Sequence, residues 1–185
     1  MMNEETRRKL RILNIGEFID AYDLQEQDTQ SAALPFDDRF QQLTDSVYQQ
    51  KYNGRVQRLI KAARFRFPKA DIHDVCYQTG RPIDRNTINE LATCRFVEDR
   101  KSVILQGYAS SGKTFLGCAL GKEACRHLYR TKYVRLPDLL MEYDEKSLMP
   151  GGEKKVLAKY TAFNVLVLDE WLISDLSAEE LSFLF

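Results

Sequence analysis

The chain has 185 residues, room for one or two domains, and 27 Lys and Arg balance 27 Asp and Glu, so overall charge singles out no partner. With 44% hydrophobic and 29% charged residues it can bury a core and stay in solution, and no apolar run approaches the ~20 residues of a membrane span. The opening MMNEETRRKL lacks the apolar centre of a secretion signal, and Cys76, Cys94, Cys118 and Cys125 show no paired metal-ligand spacing. A cytoplasmic protein with reduced, mostly core thiols is expected.

The N-terminal half reads as helical. TRRKLRIL is short and amphipathic, NIG interrupts it, and EFIDAYDL resumes the pattern. QEQDTQSAALP is polar and ends in proline, as a loop does. From Phe36, the residues Phe40, Leu43, Val47 and Tyr48 recur at helical spacing, and Val56, Leu59, Ile60, Ala63 and Phe67 repeat it. Asn53-Gly54 between them fits either a turn or a flaw inside one long helix. Residues 51–70 carry Lys51, Arg55, Arg58, Lys61, Arg64, Arg66 and Lys69 and no acid, whereas residues 1–45 are acidic. Arg55, Arg58, Lys61 and Arg64 step by three and line one side of a helix. A solvated face explains such a run; so does a surface for the phosphate backbone of DNA. In the bridge from Asp71 to Lys101, Thr87 is placed to cap a helix carrying Ile88 and Leu91, and Arg81 and Asp84 read as structural.

From Ser102 the pattern becomes α/β. SVILQ is a short apolar run read as a strand, and a helix follows from Lys113 to about Tyr129. KYVRL is a second strand, and Pro137 suits the first turn of the next helix. MPGGE is a loop, EKKVLAKYTAF is helical, and NVLVL is a third strand. Strands alternating with helices predict a parallel sheet covered by helices. Ser177 and Glu180 have the form of a capping box, so a last helix begins there.

The chemistry concentrates at GYASSGKT. Gly107, Tyr108, Ala109, Ser110, Ser111, Gly112, Lys113 and Thr114 fit the phosphate-binding loop pattern, with Phe115 next on the helix. Such a loop points backbone N–H groups at a phosphate, and the helix start adds more of them and a positive dipole end. Gly112 lets the backbone turn closely, Lys113 reaches the β- and γ-phosphates, and Thr114 offers its hydroxyl to Mg2+. The apolar run NVLVL ends in Asp169-Glu170. In a parallel sheet this end emerges beside the loop, where Asp169 helps hold Mg2+ through water and Glu170 orients or deprotonates the attacking water. Adjacent Asp-Glu suits ATP better than GTP. Ser110 stands where a glycine is common. If its φ is positive, serine costs roughly 1 kcal/mol, at most about a fivefold loss of affinity.

GYASSGKTFLGCALGKEA followed by NVLVLDEW resembles the IstB-like ATPases, a branch of the AAA+ proteins close to the DnaC-type helicase loaders. TRRKLRILNIGEFIDAY, the helical segment from Leu34 to Phe65 and the bridge resemble the same family, so the likeness covers nearly the whole chain. It implies a fold: an AAA+ type P-loop NTPase with a parallel α/β core over residues 94–185, preceded by an all-α N-terminal domain over residues 1–93. It also implies a function: an ATP- and Mg2+-binding helper of insertion-sequence transposition that binds double-stranded DNA, assembles into oligomers and supports a partner transposase. Lys113, Thr114, Asp169 and Glu170 take the family's nucleotide roles, and the N-terminal domain takes DNA binding. Family members continue with two more strands, a sensor residue and an arginine finger, so the resemblance implies a C-terminally incomplete core and weak or absent hydrolysis by this chain alone. Ser110, and WLIS after Glu170, depart from the family pattern. A DnaC-type helicase loader and a nucleotide-gated DNA scaffold without effective hydrolysis are the alternatives.

Overall fold

The computed structural model describes residues 2–77, 83–171 and 176–184. Contacts divide the chain into two compact units, Met1–Arg55 and Val56–Phe185.

In the first unit, α1 (Glu4–Ile12) is capped by Asn3, whose side chain accepts from the Thr6 N–H at 2.8 Å. Glu4 and Glu5 in its first turn and Lys9 and Arg11 in its last complement the helix dipole. The Arg7 guanidinium holds the Asp23 carboxylate of α2 (Glu17–Gln27), which buries Ile19, Ala21 and Gln25. Then α3 runs from Phe36 to Ala63 and passes through Asn53-Gly54 without a turn. A single glycine costs a helix only about 1 kcal/mol, which the surrounding turns absorb. Within this unit Lys51 pairs with Glu17 at 3.1 Å. The division between the units falls inside α3.

In the second unit the chain leaves α3 at Arg64, whose φ of 56° ends the helix. Helices α4 (Arg85–Ala92) and α5 (Arg95–Glu98) follow. The cap of α4 is Asp84, not Thr87. Asp84 accepts from both the N–H and the hydroxyl of Thr87 at 2.9 Å. An aspartate one residue before the helix outcompetes a threonine three places later, because only the former leaves its backbone extended. Arg81 lies outside the described residues.

The core is built on a parallel pair, β1 (Thr131–Arg135) and β2 (Val165–Asp169), in register from Thr131 opposite Val165 to Arg135 opposite Asp169. Helix α6 (Lys113–Arg126) covers one face, where Tyr133 and Val167 meet Cys118, Ala119 and Cys125 together with Ala63, Phe65 and Ala70. Helices α7 (Leu136–Ser147) and α8 (Gly152–Thr161) cover the other, packing Leu139, Leu140 and Val156 against Val134, Leu166 and Leu168. Alternate residues of each strand thus serve opposite layers. Two glycines bring α6 down onto the sheet: a Cβ at Gly117 would lie 3.4 Å from Val167, and one at Gly121 only 2.6 Å from the Phe65 ring. Pro137 sits in the first turn of α7. Ser177 and Glu180 exchange the two bonds of a capping box at 2.6 and 3.1 Å before α9 (Ala178–Leu184).

One expected strand does not form. Residues 102–106 pair with no strand among the described residues, and Ile104 is 77% exposed. Apolar character alone makes no strand; the backbone N–H and C=O groups need a ladder partner, and among the described residues β1 and β2 pair only with each other.

The cysteines behave as core residues. Cys94, Cys118 and Cys125 are buried free thiols, and burial pushes Cys94 up to about 11. Cys76 is exposed. No described helix is long and apolar enough to cross a membrane.

Candidate nucleotide site

The loop from Gly107 to Gly112 is exposed throughout. Gly112 takes φ 94° as it opens α6, and no side chain caps that helix. The first-turn N–H groups of α6 therefore point outward with the positive end of the dipole behind them, as an anion site requires. Ser110 has φ 60°, so the strained alternative is the one realised and the serine costs roughly 1 kcal/mol against glycine. Lys113 Nζ donates to the carbonyls of Gly107 and Tyr108 at 2.8 and 2.7 Å, which suspends the ammonium across the loop. Phe115 anchors the first turn, its ring 6.5 Å from that of Phe67.

The parallel register delivers Asp169 to the same place. The Thr114 hydroxyl lies 3.0 Å from both carboxylate oxygens of Asp169 and donates to the carboxylate. The Tyr133 hydroxyl donates to Asp169 Oδ2 at 2.7 Å. Burial works to raise the Asp169 carboxyl, but the two hydroxyls, the Glu170 N–H and nearby Arg66 outweigh it and leave it below the usual range. Burial and the carboxylate beside it push the Tyr133 phenol far up, so it remains a donor at any working pH.

Glu170 is held differently. Its backbone has φ 57°, a costly conformation for a side-chain-bearing residue and one that clusters at functional sites. Arg66 Nη1 lies 3.1 Å from Glu170 Oε1 and 3.9 Å from Asp169 Oδ2. Arg135 Nη1 lies 3.6 Å from the same Glu170 oxygen while its guanidinium also grips Asp138.

Of the four expected residues, Thr114 and Asp169 meet directly, Lys113 bonds the loop carbonyls, and Glu170 faces Arg66 and Arg135. The oxygen donors suit Mg2+, which takes one or two protein ligands and completes its shell with phosphate and water. No group of three or more His, Cys, Asp or Glu among the described residues could cage a metal alone. Tyr133, Arg66 and Arg135 were not anticipated. For Tyr133 and Arg135 the signal was their i, i+2 spacing on a strand running parallel to the one that ends at Asp169; Arg66, after α3, had none. Of the four basic residues expected on one helix face, Arg55, Arg58 and Lys61 are exposed on α3, but Arg64, also exposed, lies beyond its end. The last helical position is Ala63, so the three-residue step breaks before Arg64. After Trp171, residues 172–175 lie outside the described residues.

The sequence pattern of the family described as IstB-like ATP binding protein matches residues 8–185. The chain belongs to that family. It is 32% identical over 171 residues to a protein named as an ATP-binding protein of insertion sequence IS1162 from Pseudomonas fluorescens, covering 92% of this chain and 74% of that one. It is 35% identical over 142 residues to the corresponding protein of IS21 from Pseudomonas aeruginosa, covering 74% of this chain and 52% of the relative. A third relative, of IS5376 from Geobacillus stearothermophilus, is 26% identical over 144 residues, 77% of this chain and 56% of its own length. This IstB-like chain therefore spans about half to three quarters of the relatives it matches. In this IstB-like chain, the Thr114–Asp169 contact joins the start of α6 to the end of β2.

Proposed function

We propose that this chain is the ATP-binding helper of an insertion sequence, acting on double-stranded DNA in support of a partner transposase. The observation that carries the reading is the meeting of Thr114 with Asp169 beneath an uncapped helix start, with Lys113 suspended over the loop. In this reading the loop amides and Lys113 hold the β- and γ-phosphates of ATP. Thr114 and, through water, Asp169 would hold Mg2+, which would supply charge neutralisation to the phosphates. Glu170 orients the water that attacks the γ-phosphate and draws off its proton.

Residues 1–93 serve DNA binding and assembly, and residues 94–185 serve ATP binding. Arg55, Arg58, Lys61 and Arg64 are the cations offered to the DNA backbone, all of them exposed. The protein works as an oligomer in the cytoplasm, where its buried thiols remain reduced.

One experiment separates the parts. Lys113→Ala removes the charged grip on phosphate and should weaken ATP binding by about a hundredfold, measured by calorimetry. Neutralising Arg55, Arg58, Lys61 and Arg64 together should leave ATP binding intact, weaken duplex DNA binding and flatten its dependence on salt. Unchanged ATP affinity in the first variant would refute the nucleotide reading, and unchanged DNA binding in the second would refute the DNA surface.

A further inference from the structure

The proposed nucleotide site uses Thr114 and Asp169, yet the shortest hydrogen bond to Asp169 comes from a residue given no role so far. Tyr133 lies on β1 opposite Val167, so Asp169 is its diagonal neighbour, two residues further along β2. Diagonal positions on a sheet lie about 7–8 Å apart at the backbone, beyond the reach of short side chains but within that of an aromatic one. The Tyr133 ring is buried in the cluster beneath α6, and its hydroxyl emerges at the end of the sheet to meet Oδ2 at 2.7 Å. A phenylalanine there would fill the same core volume, so packing does not explain the hydroxyl. The same oxygen is approached by the Arg66 guanidinium, which also contacts the Tyr133 hydroxyl.

We propose that Tyr133 is a positioning residue for the metal: its hydroxyl pins Asp169 Oδ2, fixing the rotation of the carboxylate so that Oδ1 faces the Mg2+ shell of bound ATP. An ionised carboxylate accepts about four hydrogen bonds. Tyr133 takes one on Oδ2. Thr114 gives its single proton to the carboxylate and keeps its oxygen lone pairs for the cation. A carboxylate fixed by one hydroxyl and turned by none would swing about its Cβ–Cγ bond and present either oxygen. Two hydroxyls from different elements, β1 and α6, leave one orientation. This inference rests on the proposed Mg2+-ATP reading and adds a residue to it.

The test is Tyr133→Phe, which deletes one oxygen and leaves the ring. ATP binding is titrated with Mg2+ present and with EDTA, and melting is followed in parallel. The expected result is EDTA binding within twofold of wild type and an enhancement by Mg2+ reduced about tenfold, the size of one hydrogen bond to a charged group. In an Asp169→Asn background the same substitution should have no further effect, because the partner charge is already gone. A wild-type enhancement in Tyr133→Phe would overturn the proposal. So would equal losses with and without Mg2+, which would make the hydroxyl structural only. If wild type binds ATP through Lys113 but shows no enhancement by Mg2+, the metal role and this inference fall while the nucleotide reading stands. If Lys113→Ala leaves ATP affinity unchanged, the parent reading fails on its own count.

Discussion

Asp169 and Glu170 are neighbours in sequence and are held by opposite means. Asp169 ends β2 with regular backbone, is half-buried, and meets two hydroxyls at hydrogen-bond distance. Glu170 leaves the strand through a left-handed φ and meets two guanidinium groups, Arg66 and Arg135. Neutral donors fix a direction and are indifferent to salt. Cations fix a charge over a longer range, and they can be screened or competed away. In the proposed reading, the acid oriented toward a cation has two hydroxyl partners and only a distant guanidinium, and the acid that engages water has two ionic partners.

The contrast is open to attack from its strongest side first. Asp169→Asn should abolish most of the Mg2+ enhancement of ATP binding, by about a hundredfold, since it removes the only charge that both hydroxyls serve. The same substitution should alter acid stability. The Asp169 carboxyl sits below its ordinary value in the folded chain, so its contribution is present above the unfolded pKa and is lost as pH falls through the folded one. Wild type should thus lose more stability than Asp169→Asn below about pH 4, where model aspartates titrate, as read by thermal melts across pH. A smaller effect is expected on the ionic side. Arg66→Ala removes an ion pair from a half-exposed guanidinium and should lower the melting temperature only slightly. That difference should vanish in about 1 M salt, where the screening length is about 3 Å; a deficit that persists there would place Arg66 with the hydroxyls and dissolve the contrast. Least of all, Ser110→Gly should tighten ATP binding by no more than about fivefold, since it relieves one left-handed serine. A larger gain would mean the loop, not the acid pair, limits the site.

The parts of the fold that local chemistry encodes were legible. A proline in the first turn of α7, the Ser177–Glu180 capping box and the glycine-lysine-threonine start of α6 each act within a few residues of themselves. The two paired strands were legible because each lies between helices that cover it. The run at residues 102–106 was equally apolar and failed, since a strand is a property of two segments and its sequence describes one. Thr87 was misplaced by three residues and Arg64 by one, at helix ends where one backbone angle decides the outcome. The Thr114–Asp169 contact was legible from the two motifs, whereas the partners brought by the tertiary fold were not. Tyr133 is diagonal to Asp169 only after the register is known, and Arg66 lies more than a hundred residues from Glu170 along the chain. The basic run read as one surface proves heterogeneous: Arg66, itself exposed, pairs with the acid after β2, whereas Arg55 and Lys61 ride on α3 and Arg64 lies beyond its end.

Gly121 has a consequence that reaches beyond packing. It is eight residues into α6 from Lys113, about 12 Å down the helix at 1.5 Å per residue. Because a Cβ there would strike Phe65 and Val167, this missing side chain sets how deeply α6 lies on the sheet. The depth in turn sets the distance between Thr114, which rides on α6, and Asp169, which rides on β2. A single methyl group at position 121 would tilt the helix like a shim under one end of a beam, and the misfit would be felt where the phosphates bind. The dimension of the nucleotide site is in this sense gauged from a point far outside it, by a residue that touches no ligand and offers only a hydrogen atom.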